Sequence, residues 1–308
     1  MLRAFFVRLS ENRSLRSFAE RSAIGRRVSG RFVAGTEIAD AVRVTQTVNR
    51  AGMSVSIDNL GENVTNPDEA RHSAQLYHQI LDAITANHLN ANLSLKLTHM
   101  GLDVDEKLAR DLVAGLVAKA ASMKPPGFVR VDMEGSPYTQ RTLDFVHELH
   151  RMPGNENSVG TVIQAYLKRS ESDVEKLLAE GIRIRLCKGA YKEPASIAFE
   201  SKADVDANYI KLMKILMKSG IYHGMATHDE NIIREGQAFA TRERIARDSF
   251  EFQMLYGIRR DLQQSLVRVG WRMRVYVPFG TEWYPYFMRR LGERPANVFF
   301  IMRNMLRS

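Results

Sequence analysis

Eight short apolar runs open near Met53, Leu93, Phe128, Val159, Ile182, Tyr222, Phe250 and Met273. Their mean spacing of about 31 residues is the length of one strand–helix unit. Helix signals fill the intervals. Asn66-Pro67 sets a cap and then a proline at the first helical position, ahead of Leu76, Ile80 and Ile84. Asp103 with Glu106 forms a capping-box-like start before Leu108, Leu112 and Leu116. Ser136-Pro137 opens another helix, and Ser170 to Glu180 reads as a polar-faced one closed by Gly181. A long helix carrying Tyr209, Leu212, Ile215 and Leu216 ends at Gly220. Strand and helix alternating eight times predict an α/β chain closed as a (β/α)8 TIM-type barrel. The rival, a doubly wound open sheet, is weakened because neither GxGxxG nor a P-loop glycine motif occurs.

The strands carry a second pattern, of period two. In FVRVDM, Val129, Val131 and Met133 alternate with Arg130 and Asp132; in IRIRLC, Ile182, Ile184 and Leu186 alternate with Arg183 and Arg185. In RMRVYV, Met273, Val275 and Val277 alternate with Arg272, Arg274 and Tyr276. In an antiparallel sheet this would mean one wet face. With helices covering the outside, the polar set must point into the barrel. Interior arginines require anionic partners, because a buried unpaired charge is prohibitive. Asp132 balances one of them, and a bound anion would balance others.

Composition bounds the function. The chain has 308 residues, 44% hydrophobic and 26% charged, which suits a globular protein with a sizeable core. No run approaches the roughly 18 apolar residues of a membrane span. A single cysteine, Cys187, makes no internal disulfide and fits a reducing, cytoplasmic setting. The net charge of +9 is concentrated at the ends: eight Arg against two Glu in residues 1–31, and ten Arg against three acids in residues 259–308. No zinc-finger spacing or basic-aromatic RNA motif accompanies it, so nucleic acid is not the expected partner. Basic ends suit anionic ligands, or peripheral contact with lipid at the inner face of the plasma membrane. The Arg- and Ser-rich first 22 residues resemble an organellar transit peptide, but a basic helix packing beneath the domain is the preferred reading. Residues 1–50 are expected to form an N-terminal helical segment broken at Gly25, Gly30 and Gly35, and residues 51–308 the barrel.

Barrel enzymes keep their chemistry at the C-terminal ends of the strands. Those ends here carry Asp58, Lys96, Asp132, Gln164, Arg185 with Lys188, Thr227-His228, Gln253 and Tyr276. Each alone has a structural explanation; a ring of them at successive strands points to a site. There is no HExxH, no acidic triad and no GxSxG elbow, so neither a metal site nor a serine hydrolase is expected. An organic cofactor remains, or a Schiff-base lysine at Lys96 or Lys188. The KGAY turn, Lys188 to Tyr191, offers backbone N–H groups and an ammonium to a phosphate. After the last strand a short helix carries Tyr286, Arg289, Arg290 and Glu293, and its paired arginines form a cradle for a small carboxylate.

Taken together, SLKLTHMG, VRVDMEGS, VIQAYL, RIRLCKGAY, ATHDENI, FEFQMLYG, and VRVYVPFG followed by YFMRRLGERPAN resemble the proline dehydrogenase family. The likeness runs in unbroken order over roughly residues 53–308. It implies a distorted barrel with N-terminal helices, a last helix over the barrel mouth, and FAD as cofactor. It also implies a monofunctional enzyme, since the chain is too short for a fused aldehyde dehydrogenase. By the same resemblance Lys96 and Asp132 are the polar pair beside the substrate, and Arg289 and Arg290 clamp its carboxylate. Tyr276, Tyr286 and Leu255 pack on its ring. Met133, Gln164, Arg185, Lys188, Gly189, Ala190, Thr227 and His228 match flavin-contacting positions, with Arg185 near the flavin N5 and catalytic together with Asp132 and Lys96. Glu62 would pair with Arg289 as a gate. The implied reaction is oxidation of L-proline to Δ1-pyrroline-5-carboxylate by hydride transfer to FAD, with electrons passed to a quinone, as the first step of proline catabolism to glutamate. A Schiff-base aldolase on the same fold and a basic nucleic-acid adaptor are the alternatives from other classes.

Overall fold

The computed structural model describes residues 30–293, with side chains as far as Met288. The basic helix expected at the start and the side chains of Arg289 and Arg290 lie outside the described residues. Eight parallel strands close into one barrel in sequence order. They are β1 (Ser54–Asn59), β2 (Ala91–Leu95), β3 (Val129–Val131), β4 (Val159–Gln164), β5 (Arg183–Cys187), β6 (His223–Ala226), β7 (Phe250–Leu255) and β8 (Met273–Phe279). Closure is made by β1 and β8, which pair over the whole of β1, from Ser54↔Arg274 to Asn59↔Phe279.

Helix α1 (Ile38–Arg50) precedes β1. The connections carry α2 (Pro67–Ala86), α3 (Glu106–Ser122), α4 (Ser136–Arg151), α5 (Ser170–Ala179), α6 (Lys202–Lys218), α7 (Glu230–Arg242) and α8 (Arg260–Arg268). Helix α9 (Trp283–Glu293) follows β8. The caps explain the starts. Asn66 accepts the Asp68 and Glu69 N–H groups at 3.1 and 3.0 Å ahead of α2. Helix α3 differs from the sequence expectation: its cap is Asp105, which accepts from Leu108 N at 3.0 Å. Asp103 is instead held by the Tyr138 hydroxyl at 2.6 Å and Arg141 at 3.0 Å, which ties this turn to α4.

The period-two pattern sorts the side chains as the closed sheet requires. Val129, Val131, Ile184, Leu186, Phe252, Val275 and Val277 are fully buried in the core between strands and helices. Each such burial stabilises by about 1.5–3 kcal/mol. A second apolar cluster lies at the mouth, where Phe32, Val33, Leu60 and Ile258 meet Trp283, Tyr286 and Phe287 of α9. Ala34 N donates to Pro278 O at 2.8 Å and Gly280 N to Gly35 O at 2.9 Å. Residues 32–35 therefore run beside the end of β8 and brace α9, with the rings of Phe32 and Phe287 6.0 Å apart. Among the described residues no helix is long and apolar enough to cross a membrane.

Candidate active site

Arg185 stands at the centre of the barrel, 6% exposed. Its Nη1 donates to Asp132 Oδ1 at 2.7 Å and to Ser94 Oγ at 3.0 Å. Nη2 reaches Ser56 Oγ at 3.1 Å and Nε reaches Gln253 Oε1 at 2.6 Å. The guanidinium thus draws on β1, β2, β3 and β7 at once. Asp132 follows β3, fixed by its N–H on Leu95 O at 2.8 Å. Its Oδ1 also accepts from Ser94 Oγ at 2.7 Å, and its Oδ2 accepts the Tyr276 hydroxyl at 2.8 Å. The Tyr276 ring lies 5.1 Å from the Arg185 carbon, a cation–π contact that backs the ion pair. Gln253 reaches Arg185 only because β6 carries Gly224 beside it; a Cβ there would overlap the Gln253 amide.

Lys96 takes its ion-pair partner from β1. Its Nζ lies 3.6 Å from Asp58 Oδ2 rather than pairing with Asp132. Asp132 is already engaged by Arg185, Ser94 and Tyr276, while register brings Asp58 beside Ser94, two residues before Lys96. Burial pushes the Asp58 carboxyl up to about 6, against the lowering effects of Lys96 and of a hydrogen bond from Tyr276. Burial also opposes the charge on Lys96, but the carboxylates of Asp58, Asp132 and Glu62 overcome it and raise its pKa. Glu62, half-buried in the loop after β1, is thus electrostatically tied to Lys96. Its expected partner Arg289 lies outside the described side chains.

The residues matched to a cofactor line the same strand ends. Gln164 ends β4; its Nε2 donates to the carbonyls of Met133 and Glu134 at 3.1 and 2.8 Å, yet its buried Oε1 has no partner among the described residues. Lys188 follows β5 and is shared by Asp206 at 2.5 Å and Asp229 at 2.9 Å. Gly189 next to it has φ +115°, and any Cβ would overlap the Tyr166 ring, so only glycine fits. Ala190, after it, is exposed. Thr227 Oγ1 accepts the Asp229 N–H at 3.1 Å. His228 Nε2 accepts the Leu255 N–H at 3.0 Å, which leaves Nδ1 as the proton-bearing nitrogen. Leu255 is the register partner of Tyr276 and packs on the apolar cluster that contains Tyr286.

Sequence reasoning missed Ser56, Ser94 and Glu251. Glu251 is 3% exposed and binds Arg274 Nε at 2.6 Å, the Tyr222 hydroxyl at 2.9 Å and Gln253 Nε2 at 2.7 Å. The signal was present: Glu251 and Gln253 alternate with Phe250, Phe252 and Met254 as the other inward sets do. The two serines are small polar residues without charge, and nothing in their local sequence marks them.

This constellation has relatives. A family model described as proline dehydrogenase matches residues 41–303. The chain is 41% identical over 308 residues to proline dehydrogenase 1 of Bacillus subtilis subsp. natto, covering 100% of both. It is also 41% identical over 280 residues to the proline dehydrogenase of Deinococcus radiodurans, covering 90% of this chain and 89% of that one. Among solved structures, proline utilization A (PutA) from Bdellovibrio bacteriovorus, inactivated by N-propargylglycine, superposes with a TM-score of 0.80 at 26% identity. That match takes in 87% of this chain and 32% of the longer one. With the barrel, its inward polar set and an end-to-end likeness all in agreement, the chain belongs to the proline dehydrogenase family of oxidoreductases.

Proposed function

We propose that the chain oxidises L-proline to Δ1-pyrroline-5-carboxylate with FAD as hydride acceptor, and that electrons leave to a quinone. The carrying observation is the Arg185–Asp132–Tyr276 cluster at the strand ends, with Arg185 buried and its two partners half-buried. It holds the Arg185 guanidinium in one orientation against its carboxylate partner. The orphaned Gln164 Oε1 supports a flavin beside it, because a flavin ring N–H is the type of donor that this oxygen lacks. When bound, the flavin supplies the acceptor for the hydride that leaves C5 of proline, while the ring nitrogen gives up a proton and a cyclic imine results.

The chain's own residues orient and exclude. Arg289 and Arg290 grip the carboxylate, and Leu255, Tyr276 and Tyr286 shelve the ring. Arg185, matched by the resemblance to the flavin N5 side, would favour the anionic over the neutral reduced flavin. Met133, Lys188, Gly189, Ala190, Thr227 and His228 complete the cofactor side, and Glu62 with Arg289 closes the entrance. A Schiff-base reading is disfavoured, since Lys96 is held charged and Lys188 is shared by two carboxylates, whereas a nucleophilic lysine must be neutral. Peripheral contact with anionic lipid on the cytoplasmic side is supported by the basic chain ends, and such contact would give access to a bilayer-soluble quinone.

The purified protein is expected to be yellow with non-covalent FAD, and anaerobic L-proline to bleach its visible band. Colourless protein that takes up no added FAD, or a band that proline leaves unmoved, overturns the proposal.

A pH dependence follows from Asp58. Its carboxyl is neutral below about 6 and ionised above it, so acidification removes the charge that faces Lys96. Proline turnover should therefore fall on the acid side with a midpoint near about 6. Asp58→Asn should lower turnover and flatten that limb. An acid limb unchanged in the variant would show that another group titrates there.

A further inference from the structure

The barrel has a second opening, at the N-terminal ends of its strands. A cavity of about 430 Å³ lies there, within the size range of small-molecule pockets. It is lined by Arg130 of β3, Arg183 of β5, Arg274 of β8 and Glu251 of β7, with Lys124 on the rim. Phe128 and Pro125 add apolar wall. This is not the rear of the active site seen twice. Arg183 sits two residues before Arg185 on the same inward set, about 7 Å nearer the strand start. The described chain also enters beside β8's C-terminal end and leaves through α9, both at the opposite face.

Among the described residues the charges in this cavity do not balance. Lys124, Arg130, Arg183 and Arg274 face one carboxylate, Glu251, which is already bonded to Arg274, Tyr222 and Gln253. Arg130 is 4% exposed and uses Nη1 on the carbonyls of Thr161 and Arg183 at 2.9 and 2.8 Å. Its buried Nε has no partner among the described residues. Arg183 makes no ion pair among the described residues; its guanidinium is 5.3 Å from the Phe128 ring and 5.8 Å from the Tyr222 ring. Burial, with repulsion from Arg185 and Arg274, holds the Arg130 pKa below its usual value. Phe128 and Tyr222 flank the guanidiniums of a cavity whose one carboxylate is already engaged, and a part-buried excess of cations favours a bound counter-charge.

We infer that this rear cavity is a binding site for a small multivalent oxyanion, of carboxylate or phosphate chemistry, distinct from the proline site. The anion takes the fork of Arg183 and the free Nε of Arg130, while the apolar wall admits an organic body. The site carries no part of the oxidation.

The test titrates the purified holoenzyme with citrate and with pyrophosphate, at constant ionic strength, by calorimetry. One of them is expected to bind one to one, and saturating L-proline should not displace it. Tighter binding of citrate assigns a carboxylate ligand, and of pyrophosphate a phosphate ligand. Arg183→Gln should weaken that binding about tenfold or more, the loss of one charge-assisted fork, and leave kcat/KM for proline unchanged. Lys124→Gln, at an exposed rim position, gives a smaller loss and serves where Arg183→Gln does not fold. Failure of both probes to bind in the millimolar range overturns the inference. So does equal affinity in wild type and both variants, or displacement by proline, which would place the anion in the mouth.

Discussion

Arg185→Met is expected to abolish flavin reduction by proline and to lower the melting temperature by on the order of 10 °C. The arginine is 6% exposed and the side chain of its ion-pair partner Asp132 is 13% exposed, so the variant leaves a largely enclosed carboxylate facing a methionine. Breaking a buried pair from one side costs about 3–5 kcal/mol, because the remaining charge has lost its compensation. Gln253, Ser56 and Ser94 lose a donor in the same step. The penalty belongs to the unpaired charge rather than to the pair, which gives a sharper test. Adding Asp132→Asn to Arg185→Met should recover part of the lost stability while activity stays absent. Thermal melts of both variants decide it. A single variant that melts within about 2 °C of wild type would mean that water reaches Asp132 and that the interior is less closed than its geometry indicates.

The second large effect concerns the substrate's carboxylate. Arg290→Lys keeps the charge but replaces a planar fork by an ammonium, which cannot make two parallel hydrogen bonds to one carboxylate. Loss of a charge-assisted hydrogen bond costs about 1.5–3 kcal/mol, which corresponds to a rise in KM for proline of about 10- to 100-fold. Flavin content should not change, since the helix lies on the substrate side of the proposed site. Arg289→Lys should behave similarly, with an added change in the closing step if Glu62 pairs with it. Steady-state kinetics together with the flavin spectrum separate the outcomes. An unchanged KM in both variants would remove α9 from the carboxylate site.

The architecture was legible because its two periods are local properties. Spacing of about 31 residues follows from a strand plus a covering helix, and alternation of period two follows from the pleat. That alternation alone assigns Arg130, Asp132, Arg183, Arg185, Arg272, Arg274 and Tyr276 to the interior; the structure places them there except Arg272, which precedes β8 and is exposed beside Asp248. The cap before α2 is equally local, an asparagine followed by proline. The partners were not legible. Asp132 and Tyr276 are 144 residues apart, and Arg185 and Ser56 are 129 apart. Which of them share a layer depends on the register with which eight strands close, and no single strand contains that information. Register gives Lys96 to Asp58 instead of Asp132, makes Gly224 the gap through which Gln253 passes, and divides the inward arginines between the mouth and the rear. The sequence by itself thus determined the barrel and the set of residues that fill it. Only closure of the sheet decided which charge meets which, because pairing across a barrel depends on stagger as well as on order.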